Sequence, residues 1–226
     1  TTIDPATQVP PAGVWPSTAT RPAPYVWSDT EIMALLNAAG GLSDPLRAAT
    51  YETLFGLLAA CGMRIGEALG LARTDVDLER GVITINDAKF GRSRFVPMHP
   101  TTTDALGAYL TRRNRLCPRA DTASLFVSSR GSALAYRSVH TTFIDLSTAI
   151  GVRTDSVRPR IHDIRHSFAV RTLINWHRAG ADIESRMPAL SNYLGHTNPS
   201  GTYWYLTAVP ELMELAAARL DTRGRP

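Results

Sequence analysis

Apolar positions recur at helical spacing through most of the chain. Ser28-Asp29-Thr30-Glu31 reads as a capping box, Ser28 at the N-cap and Glu31 at N3, and Ile32, Leu35 and Leu36 follow on one helical face. A second helix is predicted from Asp44-Pro45, with Pro at the first helical position, to Gly62; its stripe runs through Leu46, Ala49, Thr50, Thr53, Leu54, Leu57 and Leu58 and reads as core. A short helical stretch is expected around Arg64–Leu71. Then the pattern changes period: Val82-Ile83-Thr84-Ile85 and Arg94-Phe95-Val96-Pro97 read as strands joined by a hairpin around Phe90-Gly91-Arg92. Helical spacing returns at about 101–116, 138–150, 162–179 and 183–194, with a strand-like Leu125-Phe126-Val127 between the first two. Asn198-Pro199 is expected to open a short helix through Tyr205, and Val209-Pro210 a last one to Leu220, with Leu212, Leu215, Ala216 and Leu220 on one face. The fold class is α+β, mainly α, with a small antiparallel sheet packed on a helical bundle.

Composition narrows this picture. With 44% hydrophobic and 19% charged residues, the 226-residue chain has enough apolar material for a substantial core. Residues 1–24, rich in Pro, Thr and Ala without either period, read as a linker, and 25–226 as the folded domain. No apolar run approaches the roughly 18 residues of a membrane span. The first residues lack the basic-then-apolar pattern of a signal peptide, so the chain reads as a fragment of something longer. Cys61 and Cys117 make no disulfide framework, and a cytoplasmic setting is expected. A net charge of +4 and a pI near 9.4 lean toward an anionic partner. Of the 24 basic residues one is lysine, Lys89, which composition alone would leave as a solvated surface residue.

Four clusters could carry chemistry: Gly62-Met63-Arg64-Ile65-Gly66-Glu67, Lys89, His162-Asp163-Ile164-Arg165-His166, and Leu194-Gly195-His196 followed nine residues later by Tyr205. Each has a plain reading. Arg64 and Glu67 at i, i+3 could be an ordinary exposed ion pair, worth tenths of a kcal/mol. His162 and His166 at i, i+4 share a helical face, the arrangement of zinc-binding H-E-x-x-H hydrolases. Against zinc, Asp163 stands where the general-base Glu belongs, and Arg165 puts a permanent cation on the same turn. His162 with Arg165 suits an anion better, because a guanidinium fork matches phosphate oxygens. Gly195 reads as a helix terminus presenting His196 on a turn. Tyr193, Tyr203 and Tyr205 are all near it, and spacing does not choose among the phenols.

In order and register, these clusters resemble the catalytic domain of the tyrosine recombinases, the phage-integrase family. The resemblance runs from about Tyr25 to Leu220. The family's T-G-x-R-x-x-E-x-L-x-L is similar to Cys61-Gly62-Met63-Arg64-Ile65-Gly66-Glu67-Ala68-Leu69-Gly70-Leu71, and its K-x-x-x-x-R-x-V-P to Lys89-Phe90-Gly91-Arg92-Ser93-Arg94-Phe95-Val96-Pro97. Its H-x-L-R-H-x-F-A resembles His162-Asp163-Ile164-Arg165-His166-Ser167-Phe168-Ala169, and its L-G-H with a later Tyr resembles Leu194-Gly195-His196 and Tyr205. Phe90 stands where the family often has Gly, and Gly201-Thr202 where it has Thr-Thr. The family's N-terminal core-binding domain is missing, with residues 1–24 resembling the tail of the linker to it.

The resemblance implies a site-specific DNA recombinase that cleaves and rejoins strands through a 3′-phosphotyrosyl intermediate. Tyr205 would attack the scissile phosphate while Arg64 and Arg165 hold its non-bridging oxygens. His162 would accept the phenolic proton, Lys89 would protonate the leaving 5′-oxygen, and His196 would hydrogen-bond the phosphate. An arginine, with a pKa above 12, would give up a proton poorly where a partly desolvated lysine can act as an acid. Glu67 and His166 are expected to support the site, and Arg92, Arg94, Arg153, Arg158 and Arg160 to contact DNA phosphates. No metal and no cofactor are expected. The implied partner is double-stranded DNA, bound by a homotetramer on paired sites in the full-length protein, with this fragment a monomer and the location nucleoid-associated. The alternatives are type IB topoisomerase-like relaxation and a non-catalytic DNA-binding protein on the same scaffold. The last helix could dock on its own domain or on a neighbouring protomer.

Overall fold

The computed structural model describes residues 24–87, 92–196 and 202. Helix α1, Asp29–Gly40, starts at the expected capping box: the Ser28 hydroxyl accepts from the Glu31 N–H at 3.2 Å, and the Glu31 carboxylate accepts from the Ser28 N–H at 2.8 Å. Helix α2, Pro45–Cys61, is capped by Asp44, whose carboxylate accepts from the N–H groups of Leu46 and Arg47, both at 2.9 Å. It stops at Gly62, which is left-handed at φ 59°. The stripe expected from its sequence understates its burial. Ala48, Tyr51, Phe55 and Ala59 are buried as well, so α2 is covered on nearly every side and serves as the central helix, packed by α1, by α4 (Pro100–Leu116) and by α6 (Ile161–Arg178).

Helix α3, Ile65–Gly70, and helix α5, Tyr136–Ala149, complete the covering of this core. The sheet is three-stranded and antiparallel, ordered β1 (Val76–Asp77), β2 (Val82–Asp87), β3 (Arg92–Pro97). Its register pairs Ile83 with Val96 and Ile85 with Arg94, and the inward faces of β2 and β3 bring Ile83, Ile85 and Val96 into the core. The two-residue β1 is too short to show a period of 2, so the sequence did not announce it.

Leu125-Phe126-Val127, which reads as a strand, joins no sheet. It makes only isolated bridges, Ala72 with Ser124 and Val127 with Ala133. Its three side chains are buried; the Leu134 N–H donates to Phe126 O at 3.3 Å, and side chains take the carbonyls on either side. The Tyr109 hydroxyl donates to Leu125 O at 3.2 Å, Thr50 to Val127 O at 3.3 Å, and the buried Arg113 to Ser124 O at 3.0 Å.

Helix α7, Ile183–Leu194, packs on the C-terminal half of α6 and forms a second, smaller apolar cluster of Ala169, Val170, Leu173, Ile174, Met187, Leu190 and Leu194. Tyr193 touches both clusters. No helix among the described residues is long and apolar enough to cross a membrane. The segments 1–23, 88–91, 197–201 and 203–226 lie outside the described residues, and with them the hairpin tip and the last helix expected over Val209–Leu220.

Candidate active site

The site forms where α2 ends, α6 begins and α7 ends. Gly62 turns the chain out of α2, and its backbone lies so close to α6 that a Cβ there would sit 2.3 Å from Phe168 Cδ1. A side chain is therefore excluded twice, by φ and by space. Two residues on, Arg64 is the N-cap residue of α3, and the Glu67 carboxylate satisfies its N–H at 2.8 Å while also accepting from Arg64 Nη1 at 2.8 Å. The pair is no loose surface contact, because Glu67 is only 16% exposed and holds a second guanidinium, that of Arg94 on β3, at 2.8 and 3.0 Å. Burial pushes the Glu67 carboxyl up, but the bonds from Arg94 and Arg64 outweigh it and hold the group below its ordinary value.

Arg165 is buried in α6 and spans the two ends of the site, donating from Nη1 to Gly62 O at 2.8 Å and from Nη2 to Leu194 O at 2.6 Å. Arg64 Nη2 donates to Gly195 O at 2.7 Å, and Arg94 Nε to Tyr193 O at 3.0 Å. Three arginines from three distant segments thus hold three successive carbonyls at the end of α7. A helix C-terminus carries unpaired carbonyls and partial negative charge, so cations are favoured there. Gly195 is left-handed at φ 67°, and the turn it makes delivers His196, whose Nδ1 lies 2.6 Å from the hydroxyl oxygen of the buried Thr202.

His162 projects from the first turn of α6, one turn before Arg165, and its ring meets that of His166 edge to face at 4.5 Å. Burial, then the positive charge of Arg165, lowers the His162 pKa. Burial also lowers His166 and His196 to about 4, with His162 adding to the first and Arg165 and Arg64 to the second. At neutral pH all three imidazoles are uncharged, able to accept a proton or a hydrogen bond beside fixed cations. The arrangement suits an anion with protons to move. Among the described residues no three His, Cys, Asp or Glu side chains are placed to share a metal ion.

These observations bring together Arg64, Glu67, His162, Arg165, His166 and His196. Lys89 and Tyr205 lie outside the described residues, as does the side chain of Arg92. The arginines expected on DNA have other occupations in part. Arg94 faces inward and its guanidinium bonds Glu67 and Tyr193 O: it shares the sheet face of Val96, a placement that alternation along β3 signals. Arg153 donates to Pro159 O at 3.2 Å, and Arg160 pairs with Asp163 at 2.9 Å, whereas Arg158 is exposed. Sequence reasoning gave no role at the site to Tyr193, Thr202 or Asp163. Only Asp163 left a signal, as the acid at N3 that accepts the Arg160 N–H at 2.7 Å.

A model of the phage integrase family matches residues 27–211. The chain belongs to this family. The integrase/recombinase y4rB of Sinorhizobium fredii, itself described as putative, is 46% identical over 97% of this chain and 73% of its own length. Tyrosine recombinase XerD of Mycobacterium leprae is 34% identical over 90% of this chain and 63% of its own length. The crystal structure of XerA recombinase matches with a TM-score of 0.69 at 28% identity, over 90% of this chain and 66% of that one. The chain therefore spans between 63% and 73% of the length of these recombinases. Tyrosine recombinases are site-specific enzymes that break and rejoin DNA, and the mainly helical fold with its small antiparallel sheet is the fold of their catalytic domains. In this integrase-family domain the arginine-held turn at the end of α7 sits at the C-terminal side of the match, where Tyr193 joins the two apolar clusters.

Proposed function

We propose that this chain cleaves and rejoins duplex DNA by transesterification on Tyr205, without metal or ATP. The observation that carries the reading is the convergence of Arg64, Arg165 and His196 on the turn after α7, with the neutral ring of His162 beside Arg165. A phosphodiester brings one negative charge, and its transition state gathers more on the non-bridging oxygens. Two guanidinium groups already aimed at carbonyl oxygens are suited to take those oxygens in their place.

In this reading the Tyr205 oxygen attacks phosphorus, the bond to the 5′-oxygen breaks, and a 3′-phosphotyrosyl ester forms. A phenol of pKa about 10 needs help to lose its proton at neutral pH, and His162, held uncharged, takes it. Lys89 gives a proton to the departing 5′-oxygen, so charge and atoms balance. His196, steadied by Thr202, hydrogen-bonds the phosphate. Because one ester replaces another, a second 5′-hydroxyl can reverse the step and exchange strands. The full-length protein does this as a homotetramer on paired sites, bound to DNA in the cytoplasm, and the exposed Arg158, in the loop just before α6, contacts phosphates.

The test is a nicked suicide duplex incubated with the protein in EDTA. The wild type is expected to form a covalent adduct and Tyr205→Phe none. An adduct that survives in Tyr205→Phe, or that requires zinc, overturns the assignment.

A further inference from the structure

Strand β3 carries the apolar Phe95 and the charged Arg94 on the unexpected faces. Side chains alternate along a strand, so Arg94 shares the core face with Val96, while Phe95 between them is 70% exposed. An inward charge is costly unless every donor is matched, and a local rule broken in this way marks a position kept for another reason. Three of the five guanidinium N–H donors are matched at this site, and the side chain keeps 19% exposure. Arg94 Nη1 and Nη2 donate to the two oxygens of Glu67 at 3.0 and 2.8 Å, and Nε donates to Tyr193 O at 3.0 Å.

Glu67 is thereby shared. The oxygen that accepts from Arg94 Nη1 also accepts from Arg64 Nη1 at 2.8 Å, and the other accepts the Arg64 N–H at 2.8 Å. With Arg94 gone, the carboxylate would be free to swing into a two-pronged embrace of Arg64, the geometry that guanidinium and carboxylate prefer. That would pull Arg64 away from Gly195 O. The turn itself is shaped around Arg94: a Cβ at Gly195 would lie 2.7 Å from Arg94 Nη1 and 2.8 Å from Cζ. The glycine before His196 therefore leaves room for this guanidinium as well as adopting a left-handed φ.

We propose that Arg94 is a positioning residue, acting through Glu67 on Arg64 and through the Tyr193 carbonyl on the turn that carries His196, and that it makes no DNA contact of its own. The proposal rests on the strand-cleavage reading above. Its consequence is that Arg94 governs the rate within the bound complex and leaves DNA affinity unchanged.

The experiment compares Arg94→Lys and Arg94→Gln with the wild-type chain on the suicide duplex, measuring DNA affinity against salt and the single-turnover rate of adduct formation at saturation. The salt slope is expected to stay unchanged, while the rate falls on the order of 10- to 100-fold, the scale of a catalytic group displaced by about 1 Å. A scissile methylphosphonate, whose neutral methyl removes the charge Arg64 must meet, is expected to restore much of the rate in the Arg94 variants and in Arg64→Ala alike. A salt slope reduced by about one makes Arg94 a phosphate contact and overturns the proposal. An unchanged rate, or a loss that methylphosphonate does not recover, overturns it too. Tyr205→Phe in parallel separates the two failures: an adduct there sinks the cleavage reading, whereas an inactive Tyr205→Phe beside a fully active Arg94→Lys sinks only this one. A readout without turnover is the Nε–H resonance of Arg64, assigned by its loss in Arg64→Lys. It is expected to move in Arg94→Lys and in Glu67→Gln, and its constancy in Arg94→Lys would remove the coupling.

Discussion

Around α2, helices are held by apolar burial: Leu54, Phe55, Leu57 and Leu58 are each at most 2% exposed, on the helix that α1, α4 and α6 cover. At α7 the apolar contribution is smaller, seven buried side chains shared with α6, and the end of the helix is finished by Arg64, Arg94 and Arg165. Tyr193 joins the regions, stacking on Phe168 at 5.7 Å and hydrogen-bonding Cys61, whose thiol burial pushes up to about 11 despite that bond. The difference teaches where each region is vulnerable. Apolar burial is indifferent to charge and pH, whereas charge-assisted bonds to carbonyls fail when a guanidinium is removed or a nearby group titrates.

The largest effect is expected from Arg165→Ala. It removes the donor shared by Gly62 O and Leu194 O, so adduct formation should fall by about 10³-fold, near 4 kcal/mol, as for loss of a preorganised transition-state donor. Amide exchange should rise in α7 and stay slow in α2; equal acceleration in both would erase the contrast between the two regions. Next comes Leu58→Ala, at a site 2% exposed, which should cost about 2–5 kcal/mol in chemical denaturation and leave the cleavage rate of the folded protein near wild type. Gly195→Ala is expected to cost less stability, about 1–2 kcal/mol for the left-handed residue, with a disproportionate loss of activity as Arg94 is displaced.

Acidification should be the mildest of the four. His166 and His196 are lowered from 6.5 to about 4 in the folded chain, so between those values the unfolded chain binds more protons. Their contribution is therefore complete above pH 6.5 and is lost as pH falls toward 4. Melting temperature should drop by a few degrees from pH 7 to pH 5, with α7 amides opening first, and a pH-independent α7 would contradict the assignment of its end to electrostatics.

Most helices could be read from sequence because their signals are local. The Ser28–Glu31 box, the Asp44-Pro45 start and the Gly62 and Gly195 stops each lie within one turn of the boundary they set. Motif order and spacing had marked Arg64, Glu67, His162, Arg165 and His196 as candidates, and the structure brings these five together. What was not legible is pairing across distance. Arg64 meets a carbonyl 131 residues away, Arg165 one 103 residues away and Arg94 one 99 residues away, and no local pattern encodes such bonds. The inward placement of Arg94 was hidden for that reason: an arginine between Ser93 and Phe95 looks solvent-bound until the register places it opposite Ile85. The segment at Leu125 misled in the opposite sense, since apolar, strand-like residues can be buried with their carbonyls served by Tyr109, Thr50 and Arg113.

The guanidinium of Arg165 has surrendered nearly all its water by the time the chain is folded, since it is 1% exposed and bonded to two carbonyls. Any anion that reaches it sheds its own water but exchanges one oxygen partner of the guanidinium for another, with no hydration shell to strip from Arg165. Recognition at that point becomes a swap of ligands, with little solvent left to reorganise and a barrier set by how readily Gly62 O and Leu194 O give way.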